Sequence, residues 1–402
     1  MPAKTTQQIG SCAWLKKIKF DKNAIIVLTV SFVVFAAAIL WIHSEDIFHG
    51  ENDIFNPYGN ETVDFEKAKV VEIPNQEISY DEIAEHAAVG SQELSIIVKS
   101  GRYKGQTMTA YNYFGPYYGV PVEVGDSVTL TIKSHADSTT YASVYEVNRI
   151  PVLTAYLLVF FLVVVIIGRM TGLKSMVGLA FTFVCLFAIL IPLLLKGAPT
   201  ILTTFVTCAY IALVSFTILG GVQRKTVSAF LGTVSGMLFA MIFALIVQRF
   251  AKIDGLRLED AEPLLQLKYA GAVIKVRGLL VAGIIISALG AVMDVAMSIS
   301  SALEEVHTAN PALTRNELFR SGMNIGRDMV GTMTNTLILA FLGSEFTLMI
   351  FLYARELTFY HLFSTALISL ETISGISASI GMVLAIPLTA LISSALISGR
   401  KN

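Results

Sequence analysis

The chain has 402 residues, of which 54% are hydrophobic and only 15% are charged, and its formal net charge is −1. Soluble domains carry about 25% charged residues, so this composition excludes a protein built for water along its whole length. Nucleic-acid binding is not expected, because no basic block interleaved with aromatic residues is present. The three cysteines form no CxxC or Cys/His cluster, so the sequence predicts no metal site and no cofactor.

The first predicted element is a membrane anchor. Residues 1–23 form a polar tail that contains five lysines, four of them at Lys16, Lys17, Lys19 and Lys22, and the apolar run Ala24–Ile42 follows. A run of about 19 residues is longer than the 7–15-residue hydrophobic core of a signal peptide, so we interpret it as an uncleaved helix. The lysines place the N-terminus in the cytoplasm by the positive-inside rule.

Residues 43–150 are predicted to form an extracytoplasmic β-rich domain. Charge and turn residues are frequent there, and apolar and polar residues alternate in four segments. The four segments are Lys69–Ile73, Leu94–Val98, Ser127–Ile132 and Tyr141–Val147. The pattern favours a small barrel of the OB type or a sandwich, and Asp81–Ala88 is predicted to be a short helix.

Residues 151–402 are predicted to form a membrane domain of seven helices. With the anchor, this gives an α-helical polytopic membrane protein with about eight transmembrane helices and both termini in the cytoplasm. The seven predicted spans are 151–168, 175–195, 200–220, 226–248, 278–302, 329–353 and 373–396. The loop 249–277 conflicts with the charge rule, since it would lie outside yet carries six basic residues. Either it contains a shallow surface helix or the span count is wrong by one.

Ionisable residues inside the predicted spans concentrate in the last third of the chain. Asp294 lies in the predicted span 278–302, the sixth when the anchor is counted, with apolar or small residues on both sides. A central Asp costs about 2.5–3.5 kcal/mol on insertion scales, and such residues usually face a protein interior or a water path. Asp294 is therefore the candidate coupling site for a proton or a monovalent cation. The alternative is a structural carboxylate that is paired with a donor on the next helix.

The next predicted span carries a polar face. Arg327 and Asp328 are expected near its cytoplasmic end, and Thr332 and Asn335 lie further inward on the helical face of Asp328. We predict that this face meets Asp294 at a similar depth and lines its cytoplasmic access, with Arg327 modulating the carboxylates. Interhelical hydrogen bonding alone is the other interpretation of the threonine and the asparagine.

The connection 303–326 before this span is predicted to be a helical elbow. It is rich in charged residues, and Asn310-Pro311 is expected to break it. Thr314 is the candidate N-cap of the following helix, with Glu317 three residues later in the pattern of a capping box.

Two glutamates complete the set of candidate coupling residues. Glu345 is expected late in the seventh span, near its outer end. Glu371 falls in the stretch 360–396, which is too long for one upright span, so we predict an interfacial helix at about 358–372 that leads into the last span. A plain position near the outer headgroups is the alternative for Glu371.

Three segments resemble the core of the YibE/F-like membrane proteins. They are 290–305, 321–340 and 386–391, and the likeness extends to the outer domain through Lys104-Gly105 and Val124–Asp126. The resemblance implies a multi-pass bacterial membrane protein, and the family's biochemical role is unassigned. A more distant similarity is to the proton-relay core of the SecD/SecF and RND transporters. It consists of Gly290-x3-Asp294 in one helix, a charged elbow, and Asp328 in the next helix. The SecD/SecF pattern has six spans per half, whereas eight spans in total are predicted here.

These observations favour an ion-coupled transporter or permease of unknown substrate, embedded in the lipid bilayer of the cell membrane. The alternative is a membrane scaffold without transport activity whose outer domain binds a cell-envelope partner. In that case Asp294 is a structural hydrogen-bonding residue. An intramembrane enzyme has little support, because no nucleophile–base pair or metal motif lies in the predicted spans.

Overall fold

The computed structural model of the chain describes residues 22–44, 62–134, 140–257, 261–269, 273–355 and 357–398. These residues contain eleven α-helices and five β-strands. They divide into two compact units, one within 62–163 and the other within 22–44 and 164–398. The polar tail 1–21 and the basic C-terminal pair Arg400-Lys401 lie outside the described residues.

The smaller unit contains a closed five-stranded barrel. Its strands are β1 (Thr62–Asp81), β2 (Ala87–Val98), β3 (Thr107–Phe114), β4 (Ser127–Ser134) and β5 (Thr140–Val147). Their order around the barrel is β1-β2-β3-β5-β4. Antiparallel pairing of β1 with β4 closes the barrel, and β3 runs parallel to β5. This arrangement is that of an OB-type barrel, so the barrel alternative is confirmed and the sandwich alternative is wrong.

Alternating side chains fill the barrel. Leu94, Ile96 and Val98 of β2 point inward and pack against inward residues of β4 such as Leu130 and Ile132. This alternation with a period of two is the signal by which the sequence predicted four of the five strands.

The helix predicted at Asp81–Ala88 is wrong. β1 continues to Asp81, and a tight turn leads into β2 at Ala87. The Asp81 carboxylate accepts hydrogen bonds from the backbone N–H groups of Ile83 (2.9 Å) and Ala84 (3.1 Å). An aspartate that bonds the backbone two and three residues ahead stabilises a turn, and it does so here at the tip of a hairpin.

The larger unit is helical and apolar. Its helices are α1 (Lys22–Ser44), α2 (Ile150–Cys185, which begins in the smaller unit), α3 (Ile191–Leu195), α4 (Thr200–Gly220), α5 (Arg224–Ala251), α6 (Ala261–Tyr269), α7 (Leu279–Ala309), α8 (Arg315–Ser344), α9 (Phe346–Ala354), α10 (Phe359–Ser364) and α11 (Ala366–Ser398). Among the described residues, five helical segments are long and apolar enough to cross a membrane, or six if the bent pair α8–α9 is one span. The predicted count of eight is therefore not confirmed.

One of these five segments, Ile150–Leu195, is not a straight helix. Arg169 has non-helical backbone angles (φ 48°, ψ −127°) inside α2. In a straight helix Val164 and Gly172 would be separated by about 12 Å along the axis. Instead, Gly172 packs against the backbone carbonyl of Val164. The chain therefore turns sharply at Arg169, where the sequence predicts the connection between the spans 151–168 and 175–195.

Helices α5, α7 and α11 pack around one another and form the core of the larger unit. Small residues permit the close approach of α5 and α11. A Cβ atom built on Gly236 would lie 2.8 Å from the Cβ of Ala385, and one built on Gly381 would lie 2.6 Å from the Cβ of Ala240. Small residues spaced by four are typical of helix contacts in membranes, where van der Waals packing replaces the hydrophobic effect.

The region after α7 differs from the prediction in its helix boundaries. The first part of the predicted elbow belongs to the end of α7. Its second part continues into the predicted span 329–353 as one helix, α8, which begins at Arg315 behind a capping box formed by Thr314 and Glu317. That capping box was predicted correctly. The span itself is broken, because α8 and α9 meet at an angle of 63° on either side of Glu345.

The loop 249–277 contains the short helix α6. Its nine residues extend over about 13 Å, which is far less than the thickness of a bilayer. The structure thus contains the kind of short helix that the surface-helix alternative requires.

Candidate functional site

Asp294 lies at the centre of α7, with fifteen residues of that helix on either side. Each end of the helix is therefore about 22 Å away. The face of α7 that packs in the core is formed by residues such as Val292, Val295 and Ile299, whereas Asp294 points away from it and is exposed in the single chain. The opposite face of α7 makes the contacts within the chain, so the burial of this carboxylate in the membrane stays a prediction.

A continuous polar and small-residue face accompanies Asp294 along α7. The residues at this helical spacing are exposed or partly exposed. They are Gly283, Ser287, Gly290, Asp294, Ser298 and Ser301. A Cβ atom added at Gly283 or Gly290 would meet no atom within 4 Å, so the face is open along at least two helical turns. We call this set the open face of α7.

The packing of α8 on α7 sets the relative depth of the candidate residues. Gly322 lies against Leu303, and Gly326 lies against Ile299, so the two helices are antiparallel. If this register is continued by helical rise, Asp294 is level with Gly331. The predicted similarity in depth between Asp294 and the polar residues of α8 therefore agrees with the register.

The predicted contact between Asp294 and α8 is absent from the described residues, since no hydrogen bond or ion pair joins them. Arg327, Asp328, Thr332 and Asn335 are all exposed in the single chain. Two of them make hydrogen bonds within their own helix: Arg327 donates to the side chain of Asn324 (3.3 Å), and Thr332 donates to the carbonyl of Met329 (3.1 Å).

Glu345 and Glu371, by contrast, line one cavity of about 830 Å³ between α8, α9, α10 and α11. The sequence did not predict that these two residues line the same cavity. Glu371 belongs to the continuous helix α11 and not to an interfacial helix at 358–372, because the short helix α10 ends at Ser364 and α11 begins at Ala366. Both glutamates are partly buried.

Helix α8 ends at the break beside this cavity. Ser344, the last residue of α8, donates its hydroxyl hydrogen to the carbonyl of Phe341 (2.8 Å). Bonds of this type can bend helices, but Thr332 makes one to Met329 inside the unbroken part of α8, so this bond does not by itself cause the break. Glu345 then leaves helical geometry (φ −97°, ψ 14°), and α9 starts in a new direction. The segment Gly343-Ser344-Glu345 interrupts the apolar run and could have indicated this break. Average hydropathy did not reveal it, because the residues on both sides are apolar.

The remaining polar clusters offer no metal site within the part of the chain that the structure describes. No group of three or more His, Cys, Asp or Glu side chains there is arranged to hold a metal ion. Cys185 and Cys208 are buried in the helical core as free thiols.

The barrel carries a separate exposed feature, an aromatic patch on its outer surface. Tyr111 of β3 stacks on Tyr141 of β5 with ring centroids 5.8 Å apart, and Phe65 meets Tyr145 edge to face at 5.4 Å. Partial burial and a hydrogen bond with Tyr113 raise the pKa of Tyr141 above its ordinary value. We call Phe65, Tyr111, Tyr113, Tyr141 and Tyr145 the aromatic patch.

A family model described as YibE/F-like protein matches residues 156–399, which is more than half of the chain. The chain belongs to the YibE/F-like family. All seven candidate coupling residues of this YibE/F-like protein lie within the matched region, and the five barrel strands lie outside it. No curated protein and no solved structure matches the chain. The likeness to SecD/SecF and RND transporters stays a prediction from the sequence pattern.

Proposed function

We propose that this YibE/F-like protein is an ion-coupled transporter of the cell membrane, with Asp294 as the coupling carboxylate. The observation that carries this proposal is the position of Asp294, at the midpoint of an apolar helix and on a face that the chain's own packing leaves open. The coupling ion is a proton or a monovalent cation. Both termini are cytoplasmic in this proposal, and the barrel is extracytoplasmic.

The energetics of Asp294 favour a function over a role in folding. An aspartate at the centre of a span costs about 2.5–3.5 kcal/mol on insertion scales. A structural role would offset this cost through hydrogen bonds to neighbouring helices, and no described residue donates such a bond to Asp294. A carboxylate without an internal partner is available to a mobile ion.

The neighbours of Asp294 on the open face suit a path for a small cation or a proton. Ser287 and Ser298 lie on the same face at helical spacing, and their hydroxyl groups can accept and donate hydrogen bonds to water. Asp328, Thr332 and Asn335 of α8 supply further polar groups at comparable depth. Arg327 next to Asp328 adds a positive charge that would tune the affinity of the path for cations.

The test is the thermal stability of the purified protein between pH 5 and 8, with and without Na⁺ or K⁺, for the wild type and Asp294→Asn. A ligand that binds only the folded state stabilises it by RT ln(1 + [L]/Kd), which is about 2.7 kcal/mol at a hundred times Kd. We expect pH or one cation to shift the wild-type midpoint and the Asp294→Asn variant to lose that shift. Glu305→Gln, at the exposed end of α7, is the matched control and should keep it. An equal response of all three proteins would refute the coupling role.

A second candidate, the scaffold without transport activity, is favoured by the aromatic patch on the barrel. Exposed tyrosines and phenylalanines are enriched where proteins bind partners, because they bury a large area at low entropic cost. Under this candidate, replacing Tyr111 and Tyr141 by serine abolishes complementation of a deletion strain, and Asp294→Asn does not affect it. The transporter proposal predicts that Asp294→Asn abolishes complementation.

A further inference from the structure

We propose that the cavity between α8, α9, α10 and α11 binds a lipophilic organic cation. This assignment names a substrate class for the proposed transporter. Its relevance to transport rests on the proposed function, but the binding itself does not. We call this space the glutamate cavity, after Glu345 and Glu371.

The size and the walls of the glutamate cavity fit a compact organic molecule. Its volume of about 830 Å³ lies within the range of small-molecule sites. Most of its lining is apolar, with aromatic rings from three of the four helices. These rings belong to Phe341 of α8, Tyr353 of α9 and Phe363 of α10.

The charge of the lining specifies a cation. Glu345 and Glu371 contribute carboxylates, and no Lys, Arg or His is among the described residues that line the cavity. The nearby Arg355 instead stacks on the ring of Phe351, with its guanidinium carbon 4.5 Å from the ring centroid. Neither Arg355 nor Phe351 lines the cavity. Because the described lining carries acidic side chains and no basic ones, it attracts a cationic guest and repels an anion.

The C-terminal end of α8 also favours a cation in the glutamate cavity. The C-terminal end of a helix carries a partial charge equivalent to about half a negative elementary charge. Phe341 and Leu342 in the last turn of α8 line the cavity, and Glu345 follows at the bend. Broken helices whose ends meet a cavity are a recurrent way to place such partial charges inside a membrane.

A bare metal ion fits this lining poorly. Hard cations such as Ca²⁺ take about six to eight oxygen ligands, and the described residues contain no cluster of three or more candidate metal ligands. An organic cation with a spread charge needs fewer oxygen ligands. It also gains from apolar contact and from aromatic faces, which attract cations by about 0.5–2 kcal/mol each. Carboxylates embedded in apolar and aromatic walls therefore favour a phosphonium or quaternary ammonium over a metal.

The experiment measures binding of radiolabelled tetraphenylphosphonium to the full chain in detergent by equilibrium dialysis, with protein-free micelles as the blank. Tetraphenylborate has the same shape and the opposite charge, so it separates charge recognition from hydrophobic partition. We expect saturable binding of the cation and at most weak binding of the anion. Glu345→Gln and Glu371→Gln should each weaken cation binding about tenfold or more, which is about 1.4 kcal/mol.

Two further variants keep this test decisive. Glu305→Gln removes a carboxylate outside the cavity and should bind the cation as the wild type does. Ile376→Trp keeps the charge but fills the cavity, and it should abolish binding. Ile376 lines the cavity and is 51% exposed, so the larger ring does not require repacking of the core. Equal binding of cation and anion, or unchanged binding in both glutamine variants and in Ile376→Trp, would overturn the proposal.

The failure of this inference is distinguishable from the failure of the proposed function. One outcome is that tetraphenylphosphonium binds as described while Asp294→Asn keeps the wild-type response to pH and cations. That result supports cation binding in the cavity and refutes the coupling role of Asp294. If the cation does not bind but Asp294→Asn loses the pH or cation response, the coupling role stands and the substrate class is wrong.

Discussion

Gly236 of α5 and Gly381 of α11 touch backbone to backbone: a Cβ atom built on Gly381 would lie 2.7 Å from the carbonyl oxygen of Gly236. Neither position has room for a side chain, so the two helices approach as closely as their backbones allow. Gly232 and Thr389 make a further close contact of the same two helices, one turn along. This seam fixes the antiparallel pair against which α7 packs with Asp294 on its far side.

The first prediction concerns this seam. Gly381→Val should destabilise the protein by about 1–3 kcal/mol, because overpacking forces the helices apart. Thermal midpoints of the purified variants in detergent measure the effect. Gly331→Ala on α8 is the matched control, since a Cβ atom there would meet nothing within 4 Å. Equal midpoints for Gly381→Val and the control would show that the two helices do not pack as described.

The second prediction concerns the sharp turn at Arg169. Its positive φ of 48° is a conformation that side chains other than glycine rarely adopt, and such positions cost about 1–3 kcal/mol. Arg169→Gly should therefore raise the thermal midpoint. Arg249→Gly, in the last turn of α5, should lower it, because glycine weakens a helix by about 0.5–1 kcal/mol. A loss of stability in Arg169→Gly would mean that the arginine side chain contributes more than its backbone strain.

The third prediction concerns a buried amide pair in the barrel. Gln92 accepts a hydrogen bond from the backbone N–H of Val122 (2.9 Å) and donates one to the carbonyl of the same residue (3.0 Å). Asn112 donates to Gln92 (3.0 Å) and to the carbonyl of Val120 (3.0 Å). The pair therefore anchors the segment between β3 and β4 to the barrel.

Gln92→Leu should destabilise the barrel by about 1–3 kcal/mol for each buried group left without a partner. Hydrogen exchange should show the loss of protection at the Val122 amide first. Gln76→Leu is the control, because Gln76 is exposed and only accepts a longer bond of 3.3 Å from Gln92. Unchanged exchange at Val122 in Gln92→Leu would contradict the assignment of this pair as the anchor.

Short sequence patterns correctly predicted those elements whose structure depends on residues close together in the sequence. Alternation identified four strands, and the Thr-x-x-Glu spacing identified the capping box at Thr314. The sequence missed β3, because its inward residues include the small Ala110 and the polar Asn112. Large aromatic residues point outward from the same strand and obscure the alternation. It also predicted a helix where Asp81 instead caps a hairpin turn, since the following residues have no strong turn composition.

The candidate site could be predicted only in part, for reasons of packing. The sequence identified Asp294, but both faces of α7 are rich in small and apolar residues, so it could not show which face enters the core. Small-residue contacts such as that of Gly236 on α5 with Val292 on α7 decide this, and they join residues that are far apart in the sequence. Glu345 and Glu371 line one cavity, and α8 and α9 meet there at an angle of 63°. The sequence does not show this bend between separate helices.

The last prediction tests whether the open face of α7 is wet. Thiols react with water-soluble maleimides as thiolates, which form in water and not in hydrocarbon. In a variant without the three native cysteines, Ser298→Cys should be labelled if the open face lines an aqueous path to Asp294. Labelling is followed by mass shift on intact membranes.

Two controls separate water access from simple exposure. Val295→Cys, which is fully buried on the packed face of α7, should stay unlabelled. Val206→Cys on α4 is 58% exposed in the single chain, but it should also stay unlabelled because lipid covers it. Labelling of Ser298→Cys alone would support an aqueous path beside Asp294. If Ser298→Cys is as inert as Val206→Cys, the open face contacts lipid or another protein, and Asp294 has no water route from this side.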